Sequence, residues 1–538
     1  MKLIVAGLCG LLAAGGSAAA QDDHAGHSMG GSTFGRVHFA TSCSPAAQEP
    51  FDRAVAMLHS FFYPETEKAF RAVLQQDPQC AMAYWGVAIS QRSNSLTVPF
   101  PPDLLRQGWE AIQKARAVNP PTQRERDWIE ALAPFFKDYD TADQRTRSAR
   151  YETAMARLHA QYPDDREAAI FYALSLLEAV DLADKTYSRQ LKAAAMLETL
   201  QKAQPEHPGI PHYLIHSYDY APIAVRGLAA ARRYAALAPS APHALHMPSH
   251  TFSTLGMWQD AITANLAADA ANRAYGASTN PAAAANPATI AGRYHPLDFL
   301  VNAYLQLGQD SATKSIVDEL RPVMSLPPTA SITAHTGLAA LAVRYALDRS
   351  AWQEAASLVT KPSPFKQAEA ITWFGRAIGA ARSGDLAGAK QDLAELSSRQ
   401  QQLAAAGDPY WADQVGIQAA AASAWIALAG NDKAHAIALM RSAADREDRS
   451  EKSVAMENRL SPMRELFGEL LLQAGRPKQA LAEFERSLKV VPNRRRSING
   501  AAEAAEKSGN PRLAESYRRH WASQKVASSP RATPQSVG

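Results

Sequence analysis

ELFGELLLQAGRPKQALAEFERSLKVVPN, residues 465 to 493, decides how the whole chain is read. Gly468, Gly475, Ala480, Phe484 and Pro492 stand at fixed offsets in it, and the apolar residues between them recur at helical spacing. Working outward, the same closing proline returns. FFYPETEKAFRAVLQQDP ends at Pro78, GWEAIQKARAVNP at Pro120 and YETAMARLHAQYP at Pro163. LKAAAMLETLQKAQP ends at Pro205 and GLAAARRYAALAP at Pro239, while WFGRAIGAARSGDLAGAKQDLAEL repeats the glycine and alanine spacing with Gly384 and Ala389.

These residues fit the tetratricopeptide repeat of roughly 34 residues, and the chain resembles a tetratricopeptide-repeat (TPR) protein. The resemblance implies a unit of two antiparallel helices, A and B, with small residues at repeat positions 8 and 20 where the helices touch. One such pair cannot bury its apolar face alone, whereas stacked pairs share a continuous core. On the order of eleven units then make residues 37–525 an all-α solenoid with a concave groove.

The rest of the composition agrees. A chain of 538 residues exceeds what one compact core supports, aromatic content is only 8%, and no convincing strand pattern occurs. Lysine and arginine number 56 against 52 acids, a balance of +4 that gives no electrostatic case for nucleic acid or an anionic membrane. Arg494, Arg495 and Arg496 are the one local cluster and read as a solvated helix start.

Residues 1–20 carry Lys2, an apolar run from Leu3 through Leu12 and a small-residue end at Ala18 to Ala20, the layout of a cleaved secretory signal. A periplasmic or secreted protein is therefore expected, with no transmembrane segment after cleavage. Cys9 follows Leu8 rather than a small residue, so a lipid anchor is the weaker reading. Residues 21–36 read as a disordered leader in which His24, His27 and Met29 are candidate copper ligands, and residues 526–538 as a disordered tail. Cys43 and Cys80 each precede a predicted helix in an oxidising compartment, which suggests one disulfide, with two buried thiols as the alternative. The period breaks near residues 93–102 and again at residues 274–293, a lid or a surface insertion.

Three stretches gather the chemistry: HPGIPHYLIHSYDY (207–220), PHALHMPSH (242–250) and YHPLDFLVN (294–302). They hold seven of the fifteen histidines. Counting on from Pro205 and Pro239 puts His212, His216 and Asp219 at repeat positions 5, 9 and 12, and His243, His246 and His250 at 2, 5 and 9. Ser249 and Gly256 then take the small-residue positions 8 and 15, and a count anchored on Gly308 puts His295, Asp298 and Asn302 at 2, 5 and 9. Offsets of three, four and seven residues share one helix face. The TPR resemblance implies that this face lines the groove and brings the six histidines and two aspartates together. The same count adds His59 and Trp85 to the groove, with core packing the alternative for the tryptophan.

Three readings of this set stand open. His212 and His216, four apart on one face, suit a transition metal such as zinc or copper, with Asp219 or Asp298 as a carboxylate ligand or outer partner. Alternatively, prolines at the helix starts (Pro208, Pro211, Pro242, Pro248, Pro296) leave helix N-termini that attract a peptide terminus, an acidic peptide or a small anion. Thirdly, the imidazoles satisfy one another in a packed wall. The stretch from His212 to His216 lacks the glutamate of HExxH, so a zincin-type base is absent there. Pro248 requires either a late helix start or a kink, which loosens the pairing of His243 with His250. No phosphate loop, dinucleotide fingerprint, paired-cysteine zinc motif or nucleophile elbow occurs. The expectation is an exported scaffold that binds a protein, peptide or small ligand in its groove and carries a histidine and aspartate cluster suited to a metal. A metal-dependent hydrolase and a periplasmic copper- or zinc-handling protein are the alternatives.

Overall fold

A computed structural model describes residues 33–527, apart from residues 93, 98 and 99. The expected signal segment, the leader through residue 32 with His24, His27 and Met29, and the tail from residue 528 lie outside the described residues. Among the described residues every regular element is helical, and none is long and apolar enough to cross a membrane.

The opening stretch forms helix Met463–Gln473, a turn at Gly475 with φ of +78°, and helix Pro477–Val490, which packs back antiparallel. Glycine is required at such a turn because a side chain disfavours the left-handed backbone. The Phe484 ring then explains the neighbouring small residues. A Cβ built on Gly468 would lie 2.8 Å from that ring and one on Gly500, in helix Arg495–Lys507, 2.3 Å from it. One aromatic ring thus locks a helix pair to the next. Phe70 against Gly86 and Phe136 against Gly108 repeat the arrangement at the other end of the chain. The closing prolines follow the ends of helices Tyr63–Gln76, Gln144–Gln161, Ser188–Ala203 and Leu228–Leu237, where proline stops a helix that cannot continue. The fold is a TPR-like α-solenoid.

Several segments depart from the sequence-based expectation. Residues 33–36 are tied down rather than free: Phe34 is buried, Thr33 N–H donates to Ser240 Oγ at 2.9 Å, and Arg36 N–H donates to the Glu206 carbonyl at 2.9 Å. By contrast, Cys43 and Cys80 are bonded to each other, the first of the two readings of the sequence. Residues 274–293 are no loop. Helix Trp258–Thr279 runs through the first of them, and the remainder folds as short turns fixed by Arg293, which is buried between Asp269 and Glu319. Ser95 and Phe100, in the other interruption of the repeat, point inward and are buried.

Two features turn the open array into a closed one. Residues 448–462 form an irregular strap between helices Lys433–Glu447 and Met463–Gln473. The strap crosses a turn and several helices of other pairs: Glu451 N–H donates to the carbonyl of Leu182, in the turn after helix Arg166–Glu178, at 2.7 Å, Asn302 of helix Tyr294–Gln306 donates to Asn458 at 3.3 Å, and from helix Ile332–Asp348 Thr336 donates to the Ala455 carbonyl at 2.7 Å and Arg344 to the Asn458 and Arg459 carbonyls at 2.9 and 3.0 Å. It therefore fills part of the concave groove. In addition, the last repeats return to the middle ones, where the Trp258 indole donates to the Asn493 carbonyl at 3.0 Å and Asn493 donates to the Gly256 carbonyl at 3.1 Å. The arginine cluster is accordingly not solvated. Arg494 is buried between Asp348 at 2.6 Å and Glu465 at 2.8 Å, Arg495 reaches Asp310, and Arg496 pairs with Glu469 at 2.5 Å.

Candidate metal centre

Helix Gly209–Tyr218 begins after Pro208 and presents His212 and His216 one turn apart on a buried face. The following stretch carries Pro248, which cannot donate a helical hydrogen bond, and the chain responds with helix Pro242–His246, Met247, and helix Pro248–Thr254. Of the two outcomes expected from Pro248, this is the kink. The kink separates His243 from His250 and assigns them to different neighbours. His212, His216 and His243 form one triad and His246, His250 and His295 another, the ligating nitrogens of each lying within 4.8 Å of one another. The single cluster expected from the repeat count is thus two triads side by side, with ring centroids 5.8 Å apart for His216 and His250 and 6.3 Å for His243 and His246.

Hydrogen bonds at the far side of the rings set which nitrogen faces inward. His212 Nδ1 donates to the His59 carbonyl at 2.6 Å, leaving Nε2 aimed at His243 Nε2, 3.2 Å away. His246 Nδ1 donates to Asn265 Oδ1 at 2.7 Å, and Asn265 is itself oriented by donating to the Ala261 carbonyl at 2.8 Å. His250 Nδ1 donates to Asp219 at 2.8 Å and also meets Glu457, while its Nε2 lies 2.9 Å from His246 Nε2. Such anchoring by carbonyl, amide and carboxylate is how metal-ligating histidines are held. Two imidazoles bound tetrahedrally to one ion at ~2.05 Å place their nitrogens about 3.3 Å apart. His216 differs from the others: it is buried, and neither ring nitrogen has a hydrogen-bond partner. A buried polar group without a partner costs about 1–3 kcal/mol.

Electrostatics favour neutral donors. Burial, reinforced by the neighbouring imidazoles, pushes His212, His216, His243, His246 and His295 well below the ordinary histidine value. At His250 burial opposes protonation, but the Glu457 and Asp219 carboxylates outweigh it and lift the group to about 10. Burial and the charge of Asp219 push Glu457 upward in turn. The surroundings are therefore five neutral imidazoles and a charge-balanced edge, not the cationic pocket that an anion clamp requires.

The structure places the other expected residues elsewhere. Asp298 is no ligand, because both its oxygens pair with buried Arg344 at 2.9 and 3.1 Å, and Asn302 joins the same network. Trp85 is 1% exposed and packs edge-on against Phe39, Trp128 and Phe171, so it is core rather than groove lining. His59 is also buried. Its Nε2 donates to Glu167 at 3.0 Å and its Nδ1 accepts from Tyr213 at 2.9 Å, while His207 donates to the other Glu167 oxygen at 2.9 Å. With all these groups satisfied, the trio of His59, Glu167 and His207 is structural and serves the site through the His59 carbonyl. Asp219 lies behind His250 as an outer partner.

Three contributors escaped the sequence reading. Glu457 belongs to the strap, far away in the chain and without periodicity, so no pattern pointed to it. Phe61, at a left-handed φ of +52°, lays its ring on His212 and His243 with centroids 4.4 and 5.4 Å away. Phe299 covers His246, His250 and His295 at 4.9, 4.8 and 5.1 Å, and its position four residues after His295 was readable as the same helix face. The triads separate two cavities. One of about 690 Å³ is bounded by Phe61, Tyr275, His243, His246 and His295. The other, of about 440 Å³, is bounded by Leu177, Tyr410, His216, Asp219 and Glu457.

No family model matches the chain, and no curated protein does. Among solved structures it is similar to the human IFIT1 dimer with m7Gppp-AAAA, at 11% identity over 82% of this chain and 90% of that one, with a TM-score of 0.37. It is also similar to Naa15/Naa10 bound to HypK-THB, at 13% identity over 88% of this chain and 62% of that one, with a TM-score of 0.23. Likeness at this level bears on neither ligand nor activity, and the solenoid rests on its own helix pairing.

Proposed function

We propose that the solenoid is an exported scaffold for a transition-metal centre, with His212, His216 and His243 as ligands to zinc or copper and with small-ligand access through the flanking cavities. The observation that carries this reading is His216. A buried imidazole with two unpartnered nitrogens, beside two imidazoles whose Nε2 atoms face each other at 3.2 Å, is costly unless an ion completes it. The chemistry of the donor set supports zinc or copper over magnesium, calcium or manganese, which prefer oxygen. Three protein ligands leave a position open, so a metal-assisted reaction on a small molecule in the cavities is chemically allowed. The exported location is inferred from the first twenty residues alone. A groove that captures a protein, a peptide or an acidic ligand is the lesser reading, because the strap already occupies part of that face.

The test is the metal content of the protein purified without a polyhistidine tag, beside a His212→Ala/His216→Ala variant. Zinc or copper at one ion or more per chain is expected in the parent, reduced in the variant. A parent that stays metal-free after incubation with both metals would defeat the proposal.

A further inference from the structure

We propose that the two triads together hold a pair of copper ions that bind dioxygen between them. This rests on the metal-centre reading and extends it in stoichiometry, metal and ligand. The two triads are built alike. Each takes two histidines four apart, His212 with His216 on one helix and His246 with His250 across the kink, adds one from a helix further along the chain, His243 or His295, and lies under one phenylalanine, Phe61 or Phe299. One ion does not use all six, because the ligating nitrogens close to one another only within each triad. The ring contacts between triads at 5.8 and 6.3 Å make the two ion positions neighbours.

Charge selects the metal. All six inner donors are imidazoles, and the nearest carboxylates, Asp219 and Glu457, stand behind His250 at its Nδ1 rather than facing the ions. Two divalent ions would place a charge of +4 among buried imidazole and phenylalanine rings, which low-dielectric surroundings penalise steeply. Two copper(I) ions bring only +2, and imidazole suits copper. Three-coordinate copper(I) has room for a further ligand. When dioxygen enters, each copper gives one electron, the O–O double bond becomes a single bond, and the product is two copper(II) ions with one bridging peroxide. No proton moves, and the net charge of +4 − 2 stays at +2, so the buried cage meets no new charge. The cavity of about 690 Å³ beside His243, His246 and His295 gives the gas its entry.

The experiment loads the tag-free full chain with copper(I)–acetonitrile under nitrogen, counts bound copper, then admits dioxygen while uptake and electron paramagnetic resonance are followed. Two coppers per chain, one dioxygen consumed per pair and a silent resonance spectrum are expected, because the two copper(II) spins couple. His295→Ala, at the half-buried cavity wall, should keep one copper, take up no dioxygen and, once oxidised with ferricyanide, show a normal copper(II) signal, with circular dichroism checking its fold. The parent's own count decides the matter even if that variant misfolds. One copper per chain in the parent, or two that take up no dioxygen, overturns the pair and leaves the metal centre standing. No copper and no zinc bound overturns both.

Discussion

At the scale of single residues, the histidines trade stability for binding, and the trade can be measured. In metal-free protein His216 is a buried ring with two unsatisfied nitrogens, so an apolar side chain of similar size should fit better. His216→Leu is expected to raise the urea unfolding free energy of the metal-free protein by about 1–3 kcal/mol while abolishing metal retention. A loss of stability in that titration would show that the ring is held by something other than an absent ion. Glu167 behaves in the opposite way. Burial raises a carboxyl, but the charges and hydrogen bonds of His207 and His59 outweigh it and hold Glu167 far below the usual carboxylate range. A carboxyl depressed in the folded state contributes stability that is fully present above the unfolded value near ~4.3 and is lost as pH falls toward the folded value, by about 1.4 kcal/mol per unit. Glu167→Gln should therefore cost about 2–4 kcal/mol at pH 7 and flatten the acid limb between about pH 4 and pH 2. Chemical denaturation across that range compares the slopes, and an unchanged limb would remove Glu167 from the account.

At the scale of elements, the repeat depends on a ring locked between glycines. A Cβ on Gly500 would come within 2.3 Å of Phe484 and one on Gly468 within 2.8 Å, so the first substitution should be the worse. Gly500→Ala is expected to destabilise by about 2–3 kcal/mol and Gly468→Ala by about 1–2 kcal/mol, after alanine's helix preference of about 1 kcal/mol is recovered. Thermal melts of the two variants give the order directly, and equal midpoints would contradict the lock. These glycines also show what a sequence reveals. Gly468, Gly475, Ala480 and Phe484 were legible because packing between neighbouring helices imposes local offsets, and the same periodicity put His212 and His216 on one face. The division of the histidines was not legible. It depends on the bend at Met247 between two short helices, and the sequence announced Pro248 as a disturbance without saying which ring would turn toward which neighbour. Trp85 and Asp298 fell on the right repeat positions for a groove, yet one packs in an aromatic core and the other meets Arg344, because a helical face records direction and not the partner that occupies it.

At the scale of the whole molecule, the strap and the returning C-terminal repeats connect parts that a linear array would leave independent. Neither was visible in the sequence, since contacts such as Glu451 with Leu182 or Trp258 with Asn493 join positions with no shared local pattern. In an open solenoid each unit touches only its neighbours, and unfolding can proceed piecewise. Here one apolar core extends from Phe34 to Tyr345 and another from Ile332 to Ala504, and Arg494 joins the second to Asp348, on helix Ile332–Asp348, where the two cores meet. Its guanidinium also carries Glu465, so Arg494→Met strands two buried carboxylates. Loss of one partner in a buried ion pair costs about 3–5 kcal/mol, and that cost falls on the closure of the superhelix rather than on any one repeat. The variant should unfold in two steps where the parent unfolds in one, the C-terminal repeats first, with tryptophan fluorescence and far-ultraviolet circular dichroism no longer coincident in urea. Restoring neutrality with Asp348→Asn and Glu465→Gln in the same chain should recover most of the loss. Copper or zinc should move only the later step upward, because the histidines belong to the first core and a ligand stabilises only the unit that binds it. Coincident probes in Arg494→Met would mean that the strap alone couples the halves.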